Sequence, residues 1–297
     1  MLLTPQATLL HEIHDPRLDA AGVRLLVKRL DLVHPVISGN KWYKLKYNLL
    51  SAREQGYKTL LSFGGAYSNH IHALAGAGSA YGFKTIGVIR GEEHLPLNPT
   101  LQFADDHGMQ LYYLDRCDYR RKDSSEIIAR LRQQLGEFFL IPEGGSNALA
   151  VKGCAEIIAD IDVSFDVISC ACGTGGTLTG LIVGLQGTRQ ALGVAVLKGA
   201  RFLYEEVNTL LQQSINHHYG NWMINFDYHF GGYAKTTAEL FDFMHRFETR
   251  HGIPLEQVYT GKMLFALYDL IDKGEWERGT TIVALHSGGL QGRDALL

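Results

Sequence analysis

The feature that most narrows the possible folds is an alternation, sustained from Thr59 almost to the carboxyl end, of short apolar runs with stretches of helical period. Residues 59–63, 85–89, 109–114 and 138–141 read as strands, and 71–81, 99–107 and 124–135 between them read as helices. Strands alternating with helices of this length form right-handed crossovers on a parallel sheet. A second series follows, with strands at 166–170, 193–197 and 281–285 and helices at 151–160, 177–185, 202–213, 236–250 and 262–272. A strand at 23–30 is expected to pair with this second series. The expected fold class is therefore α/β, with two open, twisted, mainly parallel sheets flanked by helices. No proline-rich or low-complexity linker separates the two series. Residues 53–147 are expected to form a small domain docked closely on a large one made of residues 1–52 and 148–297, with a cleft between them.

Composition removes several function classes. A chain of 297 residues, 46% of them hydrophobic, can bury one large core or two moderate ones. Its 28 basic and 31 acidic residues are intermixed, so no basic stripe tracks a nucleic-acid backbone, and no nucleic-acid partner is expected. The four cysteines, Cys117, Cys154, Cys170 and Cys172, are too few and too irregular for a disulfide framework or a zinc site. Histidine pairs such as His70/His72 lack the helical spacing with a carboxylate that marks a metal centre, and no metal is expected. The stretch from Met1 to Ala20 does not read as a leader, and no run approaches the roughly 20 apolar residues of a membrane span. A cytoplasmic location is the default expectation.

Two motifs carry chemistry. In Ser38-Gly39-Asn40-Lys41 a lysine follows a glycine in what reads as a tight polar loop, where its amine can form a Schiff base with an aldehyde cofactor. Far downstream, Cys172-Gly173-Thr174-Gly175-Gly176-Thr177 lies where a strand gives way to a helix, and successive N–H groups there can converge on an anion. It is neither a P-loop nor a dinucleotide fingerprint. Taken singly, Lys41 is an ordinary solvated lysine and the glycine run is a plain turn; the pairing points to pyridoxal 5'-phosphate. A third segment, Gly64-Gly65-Ala66-Tyr67-Ser68-Asn69-His70, occupies the corresponding strand-to-helix junction of the first series. Helix capping by Ser68 or Asn69 is its bland explanation. Two glycines, a hydroxyl, an amide and an imidazole exceed what a cap needs, so Tyr67, Ser68, Asn69 and His70 are candidate substrate contacts.

Gly39-Asn40-Lys41 followed by Lys44-Leu45, then Gly64-Gly65-x-x-Ser68-Asn69-His70, Gly173-Thr174-Gly175-Gly176-Thr177 and Val258-Tyr259-Thr260-Gly261-Lys262, resemble in order the 1-aminocyclopropane-1-carboxylate deaminase/D-cysteine desulfhydrase family. The resemblance implies the fold of the tryptophan synthase β subunit group, with the cofactor in the interdomain cleft, and a homodimer. It implies that Lys41 carries the cofactor, that Asn69 bonds its phenolic oxygen, and that Gly173 to Thr177 hold its phosphate. Ser68 would face the substrate carboxylate or act in proton transfer. Tyr259 would lie against cofactor and substrate, Tyr233 would be a second active-site tyrosine, and Thr260 would contact the pyridine nitrogen. His286-Ser287-Gly288-Gly289 matches the family's closing turn.

Two departures bear on the reaction. The deaminases carry glutamate where this chain has Thr260, and glutamine commonly stands in place of Tyr67. A carboxylate keeps a pyridine nitrogen protonated, whereas a hydroxyl does not, and opening an unactivated cyclopropane needs the stronger electron sink. The expected activity is thus α,β-elimination on a small amino acid, D-cysteine first. The alternatives are ring opening of aminocyclopropane carboxylate, dehydration or racemisation of a serine-like substrate, and, against the presence of Lys41, a non-catalytic cofactor-binding protein.

Overall fold

The computed structural model describes residues 6–293; residues 1–5, the start of the stretch read above for a leader, and 294–297 lie outside the described residues. The chain runs β1 (Leu10–Ile13), α1 (Pro16–Ala21), β2 (Arg24–Arg29), α2 (Asn40–Glu54), β3 (Thr59–Gly64), α3 (Asn69–Tyr81), β4 (Lys84–Arg90), α4 (Pro99–Asp106), β5 (Met109–Leu114), α5 (Arg116–Arg120), α6 (Ser125–Leu135) and β6 (Phe139–Ile141). It continues through α7 (Ala148–Ala159), β7 (Val167–Cys172), α8 (Gly176–Leu185), β8 (Gln190–Ala195), α9 (Leu203–Ile215), β9 (Trp222–Asn225), α10 (Ala238–His251), α11 (Thr260–Asp272) and β10 (Thr281–His286). Short polar side chains start many of the helices. Asp15, Ser68, Asn98, Ser124, Asn147 and Thr237 each accept a first-turn N–H.

A six-stranded sheet has the order β1-β2-β10-β7-β8-β9, and a four-stranded sheet the order β5-β4-β3-β6. All pairings are parallel except β1 with β2. In the small sheet the strand order reverses between β3 and β6, and in the large sheet between β7 and β10. At such a reversal the connections leave toward opposite sides and open a crevice at the carboxyl ends of the strands. The strand expected at 23–30 is β2, and it pairs with β10.

Two strands, β1 and β9, and three helices, α1, α2 and α5, were not expected from the sequence. β1 and β9 are four residues each, too short to show a period. Residues 40 and 41 are not in a loop, as expected above, but in the first turn of α2. That helix has no side-chain cap, because its leading amide, on Asn40, donates to the carbonyl of Ser287 at 3.2 Å.

One apolar core runs between the sheets, joining Leu26 of β2, Leu60 of β3, Ile168 of β7 and Leu285 of β10 through residues of α2, α3, α7 and α8. Separate clusters fill the outer faces, one under α10 and α11 and one under α6. With both faces covered, β7 is buried at every residue, and its sequence is correspondingly a continuous run rather than an alternating one.

α2 lies tightly on α7: a side-chain carbon added at Gly153 would stand 2.0 Å from the Tyr43 carbonyl oxygen. Gly153→Ala, which would raise helix propensity at an exposed site, is expected here to lower stability by about 1–3 kcal/mol. A urea midpoint that falls with unchanged slope checks this; a midpoint that rises contradicts the contact.

Candidate active site

Four turns meet at the two points of strand reversal: those after β3, β6, β7 and β10. Gly39 brings α2 to the last of them. Its φ is +69°, and a side-chain carbon there would lie 1.8 Å from the Ser287 carbonyl oxygen, so only glycine permits the approach. His286 fixes the facing turn, its Nε2–H on the Pro254 carbonyl at 2.7 Å and its Nδ1 accepting from the Gly288 N–H at 3.3 Å.

Lys41 is thereby set in the first turn of α2, its Nζ on Asn40 Oδ1 at 2.9 Å, while Asn40 Nδ2 donates to Thr177 Oγ1 at 2.8 Å. Burial, and after it the charge of Lys44, push the Lys41 ammonium down to about 7. An amine that is half neutral near pH 7 is a nucleophile for an aldehyde.

Lys44 stands one turn later on the same face of α2. It is buried and donates to the Gly144 carbonyl at 2.9 Å, to Ser146 Oγ at 3.0 Å and, weakly, to Thr174 Oγ1 at 3.5 Å. Gly175, with φ +74°, turns the chain into α8, and no side chain caps that helix. A carbon added at Gly176 would lie 2.6 Å from Ser146 Oγ and 3.2 Å from Lys44 Nζ. Backbone N–H groups at a helix start, an ammonium and the hydroxyls of Ser146 and Thr174 thus border one cup, a donor set suited to a phosphate.

Thr260 opens α11 and is fully buried, its Oγ1 3.5 Å from Ser287 Oγ. The buried carboxylate of Glu256 accepts the N–H groups of Val258 at 2.7 Å, Tyr259 at 2.9 Å and Thr260. Burial pushes that carboxyl up, and the three backbone donors oppose the shift. Tyr259 lies over the start of the cup, 3.3 Å from where a carbon on Gly173 would be, and Tyr233 packs edge-on against it with ring centroids 6.1 Å apart. Burial raises both hydroxyls, so both are neutral O–H donors near neutral pH.

Asn69 Oδ1 accepts from Gln291 Nε2 at 2.6 Å, and Lys41, Asn69, Ser287 and Gly289 line one small cavity. Ser68 Oγ accepts the Ile71 N–H at 3.3 Å, which leaves its own O–H free. One expected substrate contact, His70, falls elsewhere. His70 is 2% exposed and bonds Ser62 Oγ at 2.8 Å from beneath the turn, so it supports the site from inside rather than facing substrate. Tyr67 is 57% exposed, and among the described residues its hydroxyl has no hydrogen-bond partner. Lys44, Ser146, Ser287 and Glu256 were given no role from sequence. Only the Lys41/Lys44 spacing signalled one of them, and only once the segment is known to be helical.

An amine poised for an aldehyde, a cup of phosphate donors and hydroxyls at the end of β10 fit pyridoxal phosphate. The chain belongs to the pyridoxal-phosphate dependent enzyme family, whose model matches residues 5–288. Within it, the chain is a member of the 1-aminocyclopropane-1-carboxylate deaminase/D-cysteine desulfhydrase group of lyases and deaminases. A protein of Pyrococcus horikoshii, provisionally named a 1-aminocyclopropane-1-carboxylate deaminase, is 32% identical over 281 residues, covering 91% of this chain and 86% of that one. The D-cysteine desulfhydrase of Klebsiella pneumoniae is 27% identical over 92% of this chain and 89% of its own. The crystal structure of an ACC deaminase homologue superposes with a TM-score of 0.85 at 29% identity, covering 98% of this chain and 91% of that one. The expected fold class and cofactor are those of these relatives. Among the described residues no helix is long and apolar enough to cross a membrane.

Covalent capture of pyridoxal phosphate by the apoprotein, followed by absorbance, is expected to quicken with pH through about 7 and then level off, because only the neutral Lys41 amine attacks. Lys44→Met removes a like charge and should move that inflection to higher pH, while weakening cofactor affinity by about tenfold or more through loss of the ammonium. An inflection near 10 in the wild type, or a label on another lysine after borohydride reduction and peptide mapping, contradicts the assignment.

Proposed function

We propose that the enzyme catalyses α,β-elimination on D-cysteine, giving pyruvate, ammonia and hydrogen sulfide. The observation that carries the reading is Thr260: a buried, uncharged hydroxyl whose neighbour is a second hydroxyl, on Ser287. By the resemblance this is the residue beside the pyridine nitrogen, where the deaminases have glutamate. Glu256 touches Thr260 but is committed to the three N–H groups that start α11. Nothing in that arrangement holds a proton on the ring. Losing a thiolate from Cβ needs a weaker electron sink than breaking a cyclopropane bond. The name of the Klebsiella relative agrees with this choice.

When bound, pyridoxal phosphate supplies the sink for the electron pair left at Cα. The chain's residues supply the rest. Lys41, half neutral near pH 7, can accept a proton; the free O–H of Ser68, beside the first amides of α3, can take the substrate carboxylate. The neutral hydroxyls of Tyr259 and Tyr233 can give a proton to the departing sulfur.

Keto acid formation from D-cysteine and from aminocyclopropane carboxylate tests the reading side by side. The wild type is expected to act on D-cysteine by about 100-fold or more over the cyclopropane, and Thr260→Glu to slow elimination by about tenfold. Equal rates on the two substrates overturn the argument from Thr260.

A further inference from the structure

The carboxyl end of the small sheet carries two arginines that the site as described does not use. Arg90 ends β4 and Arg116 begins α5 just after β5; both are exposed. The Arg90 guanidinium reaches to 4.0 Å from where a side-chain carbon on Gly65 would be, so it borders the same turn that presents Ser68. Arg116 lies against Gly91, its Nε 3.9 Å from the corresponding point there. Nearby acids are taken by other partners: Asp118 by Arg121 and Arg130, and Glu143 by Lys122 and the Tyr119 hydroxyl. Exposed Glu92 and Glu93 follow in sequence, and neither pairs with an arginine. Among the described residues the side chains of Arg90 and Arg116 have no hydrogen-bond or ion-pair partner.

Arg90 is not merely a solvated charge on an open surface. Burial raises the Tyr233 hydroxyl, and the positive charge of Arg90 is near enough to work against that rise.

We propose that Arg90 gives the site a further class of ligand beside D-cysteine, amino acids whose side chain ends in an anionic group. The inference rests on reading the site as one for an amino acid bound through pyridoxal phosphate, and goes beyond D-cysteine, whose thiol is largely neutral near pH 7. β4 adjoins β3 at the usual strand spacing of about 4.8 Å, so a substrate whose α-carboxylate sits on the Ser68 turn can extend its side chain toward Arg90. A guanidinium and a carboxylate then meet as a charge-assisted pair.

The test uses the holoenzyme and matched acid and amide ligands, D-glutamate against D-glutamine and D-aspartate against D-asparagine, with the L-forms in parallel. Affinity is read from the change in cofactor absorbance and from competition with D-cysteine. At least one acid is expected to bind about tenfold or more tightly than its amide, the ratio shrinking as salt is raised. In Arg90→Gln the ratio should fall to near one, and in Arg90→Lys it should be partly kept. Equal binding of acid and amide by the wild type, a preference that survives Arg90→Gln, or binding of neither while D-cysteine is turned over would each overturn the inference. Binding of no amino acid at all, D-cysteine included, would overturn the amino-acid reading beneath it as well.

Discussion

The ammonium of Lys44 is buried against one carbonyl and two hydroxyl oxygens, and among the described residues no carboxylate pairs with it. Taking an ammonium out of water costs several kcal/mol, and neutral acceptors return only part of that. Burial accordingly pushes its pKa down. A phosphate in the adjoining cup supplies the charge that the protein does not. The same ammonium ties α2 to the turn after β6 and to the loop after β7, so cofactor binding and the junction of the two sheets are thermodynamically linked.

The chemistry of Lys41 follows from where that junction forces α2 to begin. A helix start needs acceptors for its amides, and α2 takes one from the turn after β10. The partial positive charge of a helix start, the neighbouring ammonium and exclusion of water all disfavour a second positive charge there. The reactive amine is thus a product of packing. A lysine at the same place in sequence, on a free loop, would titrate near its ordinary value.

Much of this was legible beforehand, because it is encoded locally. The glycines of the cup, the capping residues and the strand–helix period each act over a few neighbours, and a reader of the chain sees them together. What could not be read depends on residues far apart. The first turn of α2 looked like a loop because the group that satisfies it is the carbonyl of Ser287. Glu256 was given no role from sequence, because the three amides that close on it are brought there by the turn into α11. His70 sits in a turn full of functional residue types, yet its ring points inward to Ser62, a direction that no motif specifies. β1 and β9 owe their existence to partners rather than to their own four residues.

The strand at the heart of the large sheet, β10, is also the last of the described strands in chain order. It lies between β2 and β7, whose edges stay unpaired until residues 281–286 arrive. The small sheet, by contrast, is contiguous from β3 to β6 and can close while the rest is still being synthesised. Between the completion of β9 at residue 225 and the arrival of β10 at residue 281, the chain thus holds that insert between two open halves of a sheet. The turn that receives Gly39 forms only when the final strand docks, so a ribosome that stalls before residue 281 leaves the cofactor nowhere complete to bind.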